Sequence, residues 1–252
     1  MEKSNELQLY CFAHNVPSYG LIDDEYHTPI HVGKALHPEQ EVCSISDNTG
    51  DNISNQNDLM RELTGMYWVW KNVKDVKYVG TEHYRRKWSL EPTEILEQLK
   101  TKSIILPEPI GFGTGSMKSN YISCHSYVDI CTIEFLLARY APEYVQYLSY
   151  NSFFPANCFI TTKENYDKAC QFVFHFLDQF ISTFSLDDKQ KLDNHVQTYS
   201  SQLCPPDWSA SGADWKKYQS GMCAFLGERL FSIYNLHNFG NSMCFDKLKK
   251  LE

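Results

Sequence analysis

Between residues 57 and 86 the chain commits itself to one kind of local structure. Leu59, Leu63, Met66, Trp70 and Val73 recur at steps of four, three, four and three, the period of a single apolar helix face. The run VKYVG at 76–80 follows at once, has strand length, and ends in the polar cluster Glu82-His83-Tyr84-Arg85-Arg86. A helix delivering a buried strand is the repeating unit of an α/β sheet. The pattern recurs. LQLYCFA at 7–13, SIILP at 103–107 and NCFITT at 157–162 read as strands, and helices are predicted over about 92–101, 117–139, 163–183, 187–202 and 216–236, with a short one after Pro142. PPDWSASG at 205–212 breaks the last two. The expected fold is α/β with a mainly parallel, doubly wound sheet and a helical C-terminal part.

Composition narrows the function. With 42% apolar and 21% charged residues, 252 residues can bury a substantial core. The net charge is −8 and no Lys or Arg run occurs, which argues against a nucleic-acid partner. No stretch reaches the ~18 apolar residues of a membrane span, and the first residues lack the apolar core of a signal peptide. Nine cysteines without paired CxxC spacing favour reduced thiols, hence a cytoplasmic protein.

Four constellations could carry chemistry. EHYRR stands at the end of a strand, where open α/β sheets bind ligands. Two guanidinium groups and a histidine there suit a diphosphate, although a solvated basic turn reads the same way. Tyr121, His125 and Asp129 are spaced by four on the predicted 117–139 helix, so His125 and Asp129 could share a proton or a metal, or simply pair on its surface. Asp47, Asp51, Asn52, Asn57 and Glu62 could contact a nucleoside, or could merely form turns. GFGTGS at 111–116 lacks both phosphate-loop spacings and reads as a mobile flap. No G-x-S-x-G, H-E-x-x-H or D-x-D motif is present.

Taken together, DNTGDNISNQNDLMRELTGMYWVWKNV, KYVGTEHYRRKW, the Tyr121–His125–Asp129 set, NCFITTKENYDKACQFVFHFL and FLGERLFSIYNLHN resemble the bacterial family known as domain of unknown function 4422, over about residues 7–238. That family occurs in capsular and exopolysaccharide synthesis, and its characterised members are glycosyltransferases, galactofuranosyltransferases among them. The resemblance implies one Rossmann-like nucleotide-sugar-binding domain over 1–252 (glycosyltransferase A type), with a donor-binding half at about 1–115 and a mostly helical acceptor-side half at about 116–252. EHYRR stands where that fold carries D-x-D. The sequence departs from the family at Glu82, where an apolar residue is usual, and at Cys158.

We therefore expect a hexosyltransferase, inverting if one carboxylate is used, that moves a sugar from a nucleotide donor (a UDP-sugar) to a glycan or lipid-linked acceptor at the inner face of the cytoplasmic membrane. Arg85, Arg86 and His83 would neutralise the diphosphate, with a divalent cation (Mn or Mg) at Glu82 or His83 as the alternative. His14, Asp51, Asn52, Asn57, Glu62 and Tyr84 complete the expected donor set. Asp129 is the first choice of base with His125 beside it, Glu228 is the second, and Tyr121 lies on the acceptor side. The competing readings are a kinase-like transferase using GFGTGS, and a non-catalytic carbohydrate-binding or scaffold protein.

Overall fold

Strand β1 (Leu7–Ala13) alternates its side chains between two apolar layers. Leu7 and Leu9 enter one buried cluster, whereas Tyr10 and Phe12 enter the other. Both faces are thus covered, which is the condition for a parallel sheet. The structure is a computed structural model and describes residues 3–200 and 214–251. The expected 205–212 break lies outside the described residues.

β1 pairs in parallel with β2 (His27–His31) on one side and β3 (Tyr78–His83) on the other. Beyond β3 come β8 (Ile160–Thr162), β5 (Ile104–Pro107) and β9 (Met243–Asp246). β5 and β9 are parallel to each other, whereas β8 runs antiparallel to both β3 and β5. At the carboxyl end of β3 a tight hairpin starts β4 (Arg86–Trp88), whose other edge takes β10 (Leu248–Lys250). The sheet is mostly parallel, as expected, with two reversed strands, β4 and β8. The reversal of β8 brings the residues leading into it to the same edge as the carboxyl ends of β1 and β3.

The larger layer packs α2 (Leu63–Asn72), α5 (Tyr127–Tyr140), α6 (Lys163–Phe184) and α9 (Met222–Phe239) on one face. α3 (Pro92–Gln98) covers part of the other, with Ile95 against Leu7, Leu9 and Ile105. Gly65 lets α2 approach β1, because a Cβ there would lie 2.4 Å from the Phe12 ring. β6 (Ile110–Gly111) and β7 (Ser152–Phe153) pair antiparallel in a separate ribbon. β8, β9 and β10 come from the C-terminal half of the chain, so the main sheet is built from both halves.

Three expected helices are broken. The 59–73 stripe divides into α1 (Asn57–Met60) and α2, because Arg61 adopts a left-handed backbone (φ 52°) that Asn57 Nδ2 holds by donating to the Arg61 carbonyl at 2.8 Å. The 117–139 segment divides into α4 (Met117–Cys124) and α5. His125 is extended there (φ −134°, ψ −144°), and the Ser126 hydroxyl caps α5 by accepting the Asp129 N–H. The last helix is interrupted at Gly221, between α8 (Trp215–Ser220) and α9, where a Cβ would lie 2.5 Å from the Arg61 side chain.

Candidate functional site

The carboxyl ends of β1 and β3, the reversed entry to β8 and the first turns of α9 surround a cavity of about 1600 Å³. Charge reaches it from several sides. The β3–β4 turn supplies Arg85 and Arg86, the loop after β2 supplies Glu41, α1 and the α1–α2 break supply Asp58, Arg61 and Glu62, the start of α8 supplies Asp214 and Lys217, and α9 supplies Glu228 and Arg229.

The strand-end wall is cationic. Arg85 and Arg86 are exposed on it, and neither forms an ion pair among the described residues. The Arg85 guanidinium lies 5.3 Å from the centre of the Tyr84 ring, which in turn packs against His83 at 4.5 Å and His14 at 4.9 Å. His83 Nδ1 accepts the Arg85 backbone N–H at 3.2 Å. A neutral ring that accepts through Nδ1 carries its proton on Nε2, so His83 offers a donor. Burial, then Arg85 and Arg86, push its pKa down to about 3 and keep the ring neutral. His14 also titrates below the ordinary histidine value, through desolvation in the cleft and then Arg85.

The cavity also carries two carboxylates held by one strained turn. Ala156 (φ 71°) and Asn157 (φ 51°) are consecutive left-handed residues, a conformation that costs on the order of 1–3 kcal/mol at each. The Ala156 N–H donates to Glu228 Oε1 at 2.6 Å, and Asn157 Nδ2 donates to Glu62 Oε1 at 2.7 Å. Arg229 Nη1 donates to Glu228 Oε2 at 2.7 Å, while Nη2 donates to Asn120 Oδ1 at 2.8 Å. Burial raises the Glu228 carboxyl above its ordinary value and Arg229 opposes the rise. Burial also raises Glu62, against the hydrogen bond from Asn157.

The structure brings together most of the residues singled out from sequence and separates the rest. His14, Asn57, Glu62, His83, Arg85, Arg86, His125 and Glu228 line the cavity. Tyr84 lies behind the wall, buried between His14 and His83. Asp51 and Asn52 do not reach the cavity. Asp51 accepts the Tyr67 hydroxyl at 3.1 Å, and Asn52 folds its own loop by accepting the Ser54 N–H. Asp47 likewise latches loops, accepting the Gly33 N–H at 2.9 Å.

The choice of Asp129 as base is corrected by its environment. It is 1% exposed, lies outside the cavity, and accepts His195 Nε2 at 2.7 Å and the Tyr121 hydroxyl at 3.4 Å. Tyr121 is fully buried and so also leaves the acceptor side. The break at His125–Ser126 removes the shared helical face, and His125 pairs instead with Gln219 at 3.0 Å. Glu82 points to the opposite face of β3 from His83 and accepts the Trp88 N–H at 3.2 Å, whereas His83 lines the cavity. Among the described residues no three His, Cys, Asp or Glu side chains are grouped to hold a metal ion. The GFGTGS segment contributes Gly111 and Phe112 to the cavity rim, and its Ser116 caps α4.

Arg61, Asn157 and Lys217 were missed. The only local signal was Asn157, since asparagine tolerates left-handed backbone ahead of a strand. Arg61 lay inside an unbroken apolar stripe, and its guanidinium reaches the Lys217 carbonyl and Ser220 hydroxyl 156 and 159 residues away.

A family model described as a domain of unknown function, DUF4422, matches residues 8–210. The apo structure of the bifunctional glycosyltransferase WbbM is similar to this chain with a TM-score of 0.74 and 21% sequence identity, over 97% of this chain and 45% of that one. The chain thus spans less than half the length of that protein, and the two share a fold. No curated protein matches the chain in sequence.

Proposed function

The chain belongs to the DUF4422 family, and we propose that it is a glycosyltransferase that moves a sugar from a nucleoside-diphosphate donor to a hydroxyl of a growing glycan. The observation that carries this reading is the pair of guanidinium groups, Arg85 and Arg86, which have no carboxylate partner among the described residues and face the cavity that also holds Glu228. Fixed cations in a cleft suit a leaving pyrophosphate. The neutral Nε2–H of His83 adds a donor to the same wall.

Glu228 is the base in this reading. Each carboxylate oxygen already accepts one hydrogen bond and retains a further lone pair. The acceptor hydroxyl gives its proton to Glu228, and its oxygen bonds to the anomeric carbon. The bond from that carbon to the β-phosphate oxygen breaks, and the nucleoside diphosphate leaves with the electron pair. Positive charge gathers at the anomeric carbon on the way, as in other glycosyl transfers. One carboxylate acting in one displacement inverts the anomeric centre. A UDP-hexose donor, galactofuranose included, and a capsular, exopolysaccharide or lipopolysaccharide acceptor at the inner membrane face follow from the family resemblance.

Calorimetric titration with UDP, followed by an assay for UDP released from UDP-hexoses without acceptor, tests the reading. Slow release that Arg85→Ala and Arg86→Ala suppress is expected. No binding of any nucleoside diphosphate or nucleotide sugar would overturn it, and binding of glycans alone would favour a carbohydrate-binding module.

A further inference from the structure

The helical wall of the cavity has a polarity of its own. Gln219 Nε2 donates to the Cys124 carbonyl at 3.0 Å, which orients the amide and turns Oε1 towards His125. Oε1 can only accept, so the His125 Nδ1 that meets it at 3.0 Å carries the proton. His125 Nε2 is therefore an unprotonated lone pair, and it makes no hydrogen bond among the described residues. His125 is 6% exposed, yet it lines the cavity. Burial presses its pKa down to about 4, against the Gln219 bond, so the lone pair persists at neutral pH.

Asn120 shows the complementary case. Its Oδ1 is occupied by Arg229, which leaves the Nδ2 amide as a donor on a residue that also lines the cavity. The two polar groups are tied to α9 one turn apart, Asn120 through Arg229 and His125 through Phe225, whose ring stacks on the imidazole at 4.2 Å. Tyr218 extends this array, 4.8 Å from Phe225 and 5.9 Å from His125. An acceptor, a donor and an aromatic array on one concave surface match a sugar ring. Its hydroxyls both give and take hydrogen bonds, and its C–H face packs on aromatic rings.

We propose that His125, Asn120 and Phe225 form the acceptor-sugar subsite, in which the ring packs against Phe225 and a ring hydroxyl donates to His125 Nε2 while another accepts from Asn120 Nδ2. This assignment rests on the cavity being a glycosyltransferase site, and it gives the helical wall the opposite task to the cationic strand-end wall. His125 is a binding residue here, not the base.

Saturation-transfer NMR with methyl β-D-galactopyranoside, methyl β-D-galactofuranoside and methyl β-D-glucopyranoside tests the subsite, with UDP titration of the same samples as a separate readout. His125→Asn keeps an N–H towards Gln219 and deletes the lone pair. Phe225→Leu removes the ring, and Phe225→Tyr restores it. The first two variants are expected to weaken glycoside binding about tenfold, the scale of one lost contact. Phe225→Tyr should bind as the parent does, and UDP affinity should stay within about twofold, well below the effect of losing a contact. Undiminished glycoside signals in His125→Asn and Phe225→Leu, loss of UDP binding along with them, or no signal from the parent protein with any of the three probes would overturn the subsite. If the parent protein binds glycosides with this mutational pattern but not UDP, the subsite stands and the donor reading falls.

Discussion

Two histidine-containing clusters in this molecule have similar ingredients and opposite fates. At the β3–β4 turn, His83 is grouped with Arg85 and Arg86 at the mouth of a cavity, and the guanidinium groups have no carboxylate partners among the described residues. Between α5 and α7 (Lys189–Tyr199), His195 and Asp129 bond at 2.7 Å with side chains 3% and 1% exposed. The first cluster keeps its hydrogen-bonding capacity for something outside the chain. The second uses that capacity internally, tying α7 to α5 and satisfying a buried carboxylate. Residue type does not distinguish the two, whereas unspent hydrogen bonds facing a cavity do.

The largest effect that would sharpen this contrast is at Glu228. Glu228→Gln should lower the transfer rate per folded molecule by about 10²–10⁴-fold, the usual worth of a general base. It should also lower the melting temperature, because an amide cannot accept from both the Ala156 N–H and Arg229. Because burial raises the Glu228 carboxyl, the parent's rate should climb with pH along a limb lying above the ordinary carboxylate range, and the variant should lack that limb. A flat profile in the parent would break the assignment.

Next in size, Arg85→Ala and Arg86→Ala should each raise the donor KM about 10–100-fold, corresponding to roughly 1.5–3 kcal/mol for a charged hydrogen bond. Urea unfolding should change little for both, since neither guanidinium has a carboxylate partner among the described residues and Arg85 gives up only its exposed contact with the Tyr84 ring. Near-normal kinetics in both variants would place the pyrophosphate elsewhere.

Asp129→Asn should reverse that pattern. We expect about 1–3 kcal/mol of lost stability, from weakened hydrogen bonding to His195 and Tyr121, read as a lower urea midpoint, with turnover per folded molecule retained. A variant of full stability that is inactive would return Asp129 to the chemistry.

The smallest effect concerns pH and stability. The folded His83 pKa of about 3 lies far below the unfolded value of about 6.5. Between these values the unfolded chain binds the extra proton, so stability falls as pH drops from about 6.5 towards 3 and is fully kept above that window. His83→Gln should flatten part of this slope in acid unfolding curves. An unaltered slope would mean that His83 is not held neutral.

Some of this was legible in the residues. A polar EHYRR run ending an apolar strand is conspicuous because strand interiors exclude such groups, and it does lie at the cavity. The His125–Asp129 pairing failed for a reason also written locally. Ser126-x-x-Asp129 before an apolar run is a helix-start signature, and the observed Ser126 cap places the break there. The Asp51 and Asn52 assignments failed because short polar side chains make turns as readily as they bind ligands, and only exposure and partners separate the two outcomes. Glu228 was visible as a candidate, but its partners Ala156 and Arg229 act from a strained turn 72 residues distant and from the next helix position.

Period and polarity along the chain were enough to specify alternating helices and strands, a sheet covered on both faces and a basic strand end, because those features depend on neighbours a few residues apart. Which charged groups stay unpaired was decided in three dimensions. His195 reaches Asp129 across 66 residues, and the reversed β8 carries Asn157 to Glu62 across 95. Desolvation and hydrogen bonding act on whatever is near in space, so the same carboxylate is inert when its partners surround it and available when a cavity takes the place of one.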